Sequence, residues 1–98
     1  MEYRLVIKTL AQLDITEAVE WYSIHAEHLT VRFVGEIEKA LNEIQKNPKH
    51  FQKRYNEIRI IFTENYPYGI YYTIEGDKIF IHAILHTKRN PQTGIERI

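Results

Sequence analysis

Cysteine is absent from this 98-residue chain. That excludes a disulfide framework, a thiol nucleophile and any thiolate metal site. A secreted domain this small usually needs such staples, so their absence fits a reducing cytoplasm. Serine is nearly absent too. Ser23, the only one, falls inside a helical pattern with no nucleophile elbow around it, which excludes a Ser/His/Asp triad. No apolar run approaches the ~18 residues that span a bilayer. The opening stretch from Met1 to Lys8 mixes charges with its apolar residues, unlike a signal peptide. The expectation is a soluble, cytoplasmic protein with no membrane partner.

An excess of either charge is also missing. Thirteen basic residues balance thirteen acidic ones, for a net charge of +0 and a pI near 7.0. Proteins that hold nucleic acid mainly through phosphate contacts carry a clear basic excess. Neutrality therefore argues against an avid RNA or ribosome binder, unless a local patch overrides it. There is no repeat, no low-complexity stretch and no Gly/Ser/Pro linker, with only 4 glycines and 3 prolines in the chain. Residues 1–98 thus read as a single domain with one modest core.

What is present is a clean change of period. Residues 3–8 are rich in β-formers and predict a short strand. Thr9 followed by Gln12 matches the Thr-x-x-Gln capping box and predicts a helix over about 10–27. Its apolar stripe is Ala11, Ile15, Ala18, Val19 and Tyr22. A second helix is predicted from Thr30, as N-cap, to Lys46, with Phe33, Ile37, Ala40, Leu41 and Ile44 as its stripe. Asn47-Pro48 ends it, since a residue before proline avoids the α region. The short link around Glu27-His28-Leu29 makes the two an antiparallel hairpin.

After a polar bridge from Lys49 to Asn56, the pattern turns to strands at 57–63, 68–74 and 78–86. Glu75-Gly76-Asp77 supplies the hairpin turn between the last two. The order β-α-α-β-β-β predicts an α+β, two-layer fold with the helical hairpin on a mostly antiparallel sheet. The tail from Lys88 to Ile98 is polar and predicts no element.

Four pieces of the chain carry a family resemblance. They are Ala11-x-x-Asp14-Ile15-x-Glu17-Ala18-x-x-x-Tyr22; Arg32-Phe33 leading into the second stripe and Asn47-Pro48; Ile58-Arg59 ahead of Tyr66-Pro67-Tyr68-x-Ile70-x-Tyr72; and Ile79-x-Ile81 running into His86-x-Lys88-Arg89-x-Pro91. In this order they resemble the RelE/ParE superfamily, bacterial toxins of type II toxin–antitoxin systems. The resemblance implies the same β-α-α-β-β-β fold, an antitoxin that folds around the chain and silences it, and no cofactor or metal. RelE-like members cut mRNA on the ribosome, whereas ParE-like members poison DNA gyrase by binding it. The helical hairpin and the His-x-Lys-Arg ending look closer to the ParE, plasmid-stabilisation side. Neutral charge points the same way. The alternatives are a ribosome-dependent mRNA endonuclease, or a degenerate member that keeps fold and antitoxin without toxicity.

A nuclease would need a base, an acid and cations at the phosphate. Arg59 matches the arginine that RelE-like toxins place on the first strand after the helices, and alternation turns it away from Ile58 and Ile60. It serves equally as a solvated or salt-bridged strand residue. His86 lies where some nuclease members carry a histidine, and strict alternation puts His82 on the same face. Strand histidines are also commonly structural, and two of them without a third ligand make a poor zinc site. Arg89 completes the catalytic set for the nuclease alternative. Lys88 and Arg89, with Arg97, Lys49, Lys53 and Arg54, would form one basic patch if the fold gathered them. Tyr66, Tyr68, Tyr71 and Tyr72 read as core or interface packing before base-stacking. Trp21 lies beside the first stripe and is, with Lys88 and Arg89, a candidate contact for a partner or target.

Overall fold

The structure, a computed structural model, describes residues 2–98. Strand β1 (Arg4–Ile7) is followed by helix α1 (Thr9–His25), a 3-10 turn (Glu27–Leu29) and helix α2 (Thr30–Lys46). Then come β2 (Lys53–Tyr55), β3 (Ile58–Phe62), β4 (Tyr68–Glu75), β5 (Lys78–His86) and a short helix α3 (Gln92–Ile95). The five strands form one sheet in the order β1-β5-β4-β3-β2. All neighbours are antiparallel except β1 and β5, which run parallel with Arg4 opposite Lys78 and Ile7 opposite Ile81.

The α+β hairpin-on-sheet architecture is as the sequence predicts, with three differences. Lys53–Tyr55, inside the polar bridge, pairs with β3 as an edge strand, and Asn56 turns the corner at φ +51°. All three of its residues are exposed, so no apolar alternation announced it. The tail is ordered and ends in α3, which packs on the sheet face away from the hairpin. The expected caps are not made either. Lys8 precedes α1 without a side-chain cap bond, and the Gln12 amide instead donates to the Ile7 carbonyl at 3.1 Å. Thr30 is already helical, because the 3-10 turn leads straight into α2, and its Oγ1 is buried without a hydrogen-bond partner.

The sheet separates two apolar clusters. On the hairpin side Ala11, Ala18, Tyr22, Phe33, Ile37 and Ile44 meet Ile61, Ile70, Tyr72, Ile79, Ile81 and Ile84. Fully buried members such as Phe33, Ile44 and Ile70 each contribute ~1.5–3 kcal/mol of transfer free energy. Phe33→Ala would remove a ring packed on Tyr22, Tyr66 and Tyr68 and cost ~3–5 kcal/mol. On the other face Ile58, Ile60, Tyr71, Ala83 and Leu85 are covered by Ile95 of α3. Gly94 permits that closeness. A Cβ there would lie 2.8 Å from the Tyr71 ring.

Candidate functional site

Alternation along β5 is interrupted once, and the interruption decides which side chains meet. Tyr71 is opposite Ala83 while Tyr72 is opposite Ile81, so His82 is an extra residue in the ladder. Such a bulge shifts the phase of everything beyond it. Ile79, Ile81 and Ile84 therefore face the hairpin, whereas Ala83 and Leu85 face α3. The expectation that His82 and His86 share a face is thereby overturned. His82 lies half-buried with its Nε2 2.8 Å from Thr73 Oγ1. Burial and the nearby charge of Lys8 hold its pKa below the usual imidazole value.

His86 emerges on the hairpin side, its ring edge-on to Tyr68 at 5.4 Å. It shares a cleft of about 170 Å³ with Glu17, Trp21, Tyr68 and Arg89. Its Nδ1 accepts the backbone amide of Lys88 at 3.1 Å, which leaves the ring proton of the neutral form on Nε2. The His86 carbonyl accepts the Arg89 amide at 2.9 Å. This tight turn leaves Lys88 and Arg89 exposed just beyond the strand. Trp21 stands across the cleft on α1, 54 % exposed. It is not loose, since its ring rests on His25 at 4.7 Å and meets Tyr22 edge-on at 5.2 Å.

Arg59 is elsewhere. It turns away from Ile58 and Ile60, as alternation requires, and its Nη1 donates to the carbonyls of Phe51 (2.6 Å) and Lys49 (3.2 Å). Beside it the Tyr72 hydroxyl donates to the Pro48 carbonyl at 2.7 Å. Both therefore hold the α2–β2 loop against the sheet. Arg59 is opposite Tyr72 and His86 is opposite Tyr68, four residues along β4 and on strands either side of it. Ordinary strand spacing then separates Arg59 from His86 by ~16 Å between Cα atoms. With its guanidinium turned to those loop carbonyls, Arg59 does not converge on His86.

The single basic patch is not assembled. Lys53 pairs with Glu57 at 2.9 Å, and Arg54 lies over the Phe62 ring at 5.2 Å. Sheet geometry puts them ~19 Å from His86. Arg97 is largely withdrawn from solvent, its side chain 16 % exposed. Its guanidinium grips Asp14 of α1 with Nη1–Oδ2 2.6 Å and Nη2–Oδ1 3.0 Å, and Nη1 also donates to the His82 carbonyl at 3.1 Å. The second half of β5 has no strand beyond it, because β1 ends at Ile7. Asp14 Oδ2 accepts the Ile84 amide at 2.9 Å on that open edge. The ion pair thus satisfies backbone groups that a longer β1 would have bonded.

The tyrosines belong to the packing. Tyr66, Tyr71 and Tyr72 are buried, with Tyr71 on the α3 face and the others on the hairpin face. Burial pushes the Tyr68 and Tyr72 phenols up to about 12, out of reach of proton transfer near neutral pH. Among the described residues, no group of three or more His, Cys, Asp or Glu could hold a metal ion, and no helix is long and apolar enough to cross a membrane.

The comparisons bear on the fold and the family. A search of curated proteins gives no match. The chain superimposes with a TM-score of 0.77 on a solved structure described as the chromosomal ParDE TA system from P. aeruginosa. The match covers 87 % of this chain and 96 % of that one at 16 % identity, a level that speaks for the fold. The family model described as ParE toxin of type II toxin-antitoxin system, parDE, matches residues 5–91. With that match running from β1 to the turn beyond His86, the chain belongs to the ParE toxin family.

Proposed function

We propose that this type II toxin acts in the cytoplasm by binding a protein target, DNA gyrase, without hydrolysing it or RNA. Its antitoxin holds it inactive. The observation that carries this reading is the ~16 Å between Arg59 and His86, set by strand register. A cleaving enzyme needs cation and proton donor on one phosphate, and Arg59 is occupied by the Lys49 and Phe51 carbonyls. His86 and Arg89 do share a cleft, with Trp21 as its wall. A cleft with an exposed, braced tryptophan and an arginine suits protein recognition.

The test is expression without the antitoxin, with separate readouts of DNA supercoiling and of mRNA ends at the ribosomal A site. Arg59→Ala and His86→Ala, checked to be folded, are expected to retain substantial growth inhibition, since a rim contact changes affinity by only ~1 kcal/mol. Inhibition of supercoiling without mRNA cleavage supports the proposal. A-site cleavage that falls by ~10²–10⁴-fold in either variant would establish the nuclease alternative instead. A folded chain with no effect on either readout would make it a degenerate member.

A further inference from the structure

Neutral overall charge conceals an uneven distribution. From Ile44 to Asn56 the chain holds Lys46, Lys49, Lys53 and Arg54, together with His50, and no acidic residue. Four of the thirteen basic residues thus lie in one short segment, leaving nine against thirteen acidic residues in the rest of the chain. The segment carries +4 and the remainder −4. The fold keeps the segment together, since the end of α2, the loop after it and edge strand β2 follow one another along one side of the sheet. All five of these side chains are exposed.

The backbone beneath them is fastened. Carbonyls of Lys49 and Phe51 accept Arg59, the Pro48 carbonyl accepts the Tyr72 hydroxyl, and the His50 amide donates to the Asn47 carbonyl. A platform held in this way loses little freedom when a ligand docks. Among the described residues, Lys46, Lys49 and Arg54 have no carboxylate partner, whereas Lys53 is paired with Glu57 at 2.9 Å. Arg54 lies over the Phe62 ring at 5.2 Å, and stacking fixes a guanidinium without consuming its N–H donors. Two clefts of about 450 Å³ meet at Tyr3 and Lys46, and the second runs on past Lys49 and His50. Among the described residues that line them, the one acid is Glu2. Three of the four formal charges are lysines, which are depleted at protein interfaces and bind phosphate well as point charges. A polar, strongly cationic surface is what nucleic acid selects.

We propose that the α2–β2 loop and β2 hold the phosphate backbone of duplex DNA beside the target, without reading its sequence. The choice of DNA rests on the gyrase reading, since a toxin docked on DNA gyrase lies next to that enzyme's DNA. If Lys46, Lys49 and Arg54 neutralise three phosphates, log K falls against log [salt] with a slope of about −2.7, a loss of roughly 40-fold between about 50 and 200 mM. Fluorescence anisotropy of a labelled mixed-sequence duplex measures this on the purified chain without gyrase. Lys49→Gln should make the slope shallower by about 1. The triple variant K46Q/K49Q/R54Q, checked to melt like wild type, should lose at least ten-fold in binding. Lys39→Gln, which removes an exposed cation already paired with Glu64, should leave binding unchanged. In a gyrase supercoiling assay the triple variant should need at least ten-fold more protein than wild type. A chain that does not bind the duplex, or a triple variant that binds as wild type does, overturns the proposal. Wild-type inhibition of supercoiling would then still spare the gyrase reading. Tighter binding to single-stranded RNA or to polyglutamate overturns the proposal in favour of that class of partner. A triple variant that releases DNA yet inhibits gyrase at full potency overturns the placing of the contact beside the target. Duplex binding by wild type with no effect on supercoiling upholds the contact and sinks the gyrase reading.

Discussion

Arg97→Met is the substitution with the largest consequence outside the apolar core. The methionine keeps the apolar stem of the side chain and removes the charge. Asp14, whose side chain is 6 % exposed, then loses a bidentate partner whose own side chain is 16 % exposed. Breaking a buried pair on one side costs ~3–5 kcal/mol, because the remaining charge is left desolvated and uncompensated. For a domain of this size each kcal/mol moves Tm by ~4–8 °C, so the lower bound alone predicts a fall of ~12–24 °C. Total stabilities of ~5–15 kcal/mol make this a large share. The variant Asp14→Asn/Arg97→Met removes the stranded charge and keeps an acceptor for the Ile84 amide. It should recover ~1–2 kcal/mol of the loss. Urea unfolding of wild type, both single variants and the double closes the cycle. Lys39→Ala is the control. Its pairing with Glu64 at 3.5 Å is 61 and 71 % exposed, and exposed pairs contribute well under ~1 kcal/mol. An Arg97→Met shift below ~4 °C, or a double variant no more stable than Arg97→Met, would refute the account.

Two further outcomes follow from the sheet. The His82 pKa is held below 6.5 by burial and by Lys8, with Glu75 opposing. Below 6.5 the unfolded chain therefore binds the extra proton before the folded one does, and stability falls as pH drops through this window toward the folded pKa. The stability advantage of wild type over His82→Gln should shrink over that range, and an advantage that grows on acidification would contradict the assignment. Gly94→Ala places a methyl 2.8 Å from the Tyr71 ring, which should cost ~1–3 kcal/mol or lift α3 from Ile58 and Leu85. Thermal unfolding and protease sensitivity at the tail distinguish these, and an unchanged melting curve with a protected tail speaks against tight packing there.

The sequence carried most of the fold because its apolar patterns are periodic. Phe33, Ile37, Leu41 and Ile44 can only be one helix face, and the Ile-rich runs at 58–61 and 79–84 can only be buried strands. What it hid was set by contacts distant in sequence. Lys53–Tyr55 has no apolar signal, since its pairing comes entirely from backbone bonds to β3. The bulge at His82 leaves no mark in composition, yet it puts His82 and His86 on opposite faces. Asp14 did leave a signal. It falls between Ala11 and Ala18 on the core stripe, and a carboxylate there demands a cation from elsewhere in the chain. Arg97 looked like a tail charge because nothing local identifies its partner. Trp21 was legible alone, whereas Lys49 and Arg54 gained meaning only when Arg59 and Tyr72 were seen to hold the loop before β2.

Asp14 and Arg97 are 83 residues apart, and β1 pairs with β5 across nearly the same interval. Contacts of such separation pay the loop-closure entropy of almost the whole chain before returning anything, so they form late. The helical hairpin and the β3–β4–β5 meander need only neighbours. On a ribosome Arg97 follows the end of β5 by 11 residues, and until it docks the carboxylate has no counter-ion and the His82 carbonyl lacks its guanidinium donor. Folding should therefore show an early phase, in which β4–β5 amides gain protection, and a later one that protects Lys8 and Ile84. Pulse-labelled hydrogen exchange would separate them. Simultaneous protection at both sets would mean that chain closure itself nucleates the fold. In a nascent toxin the late phase sets how long a partly made chain lies open to proteases.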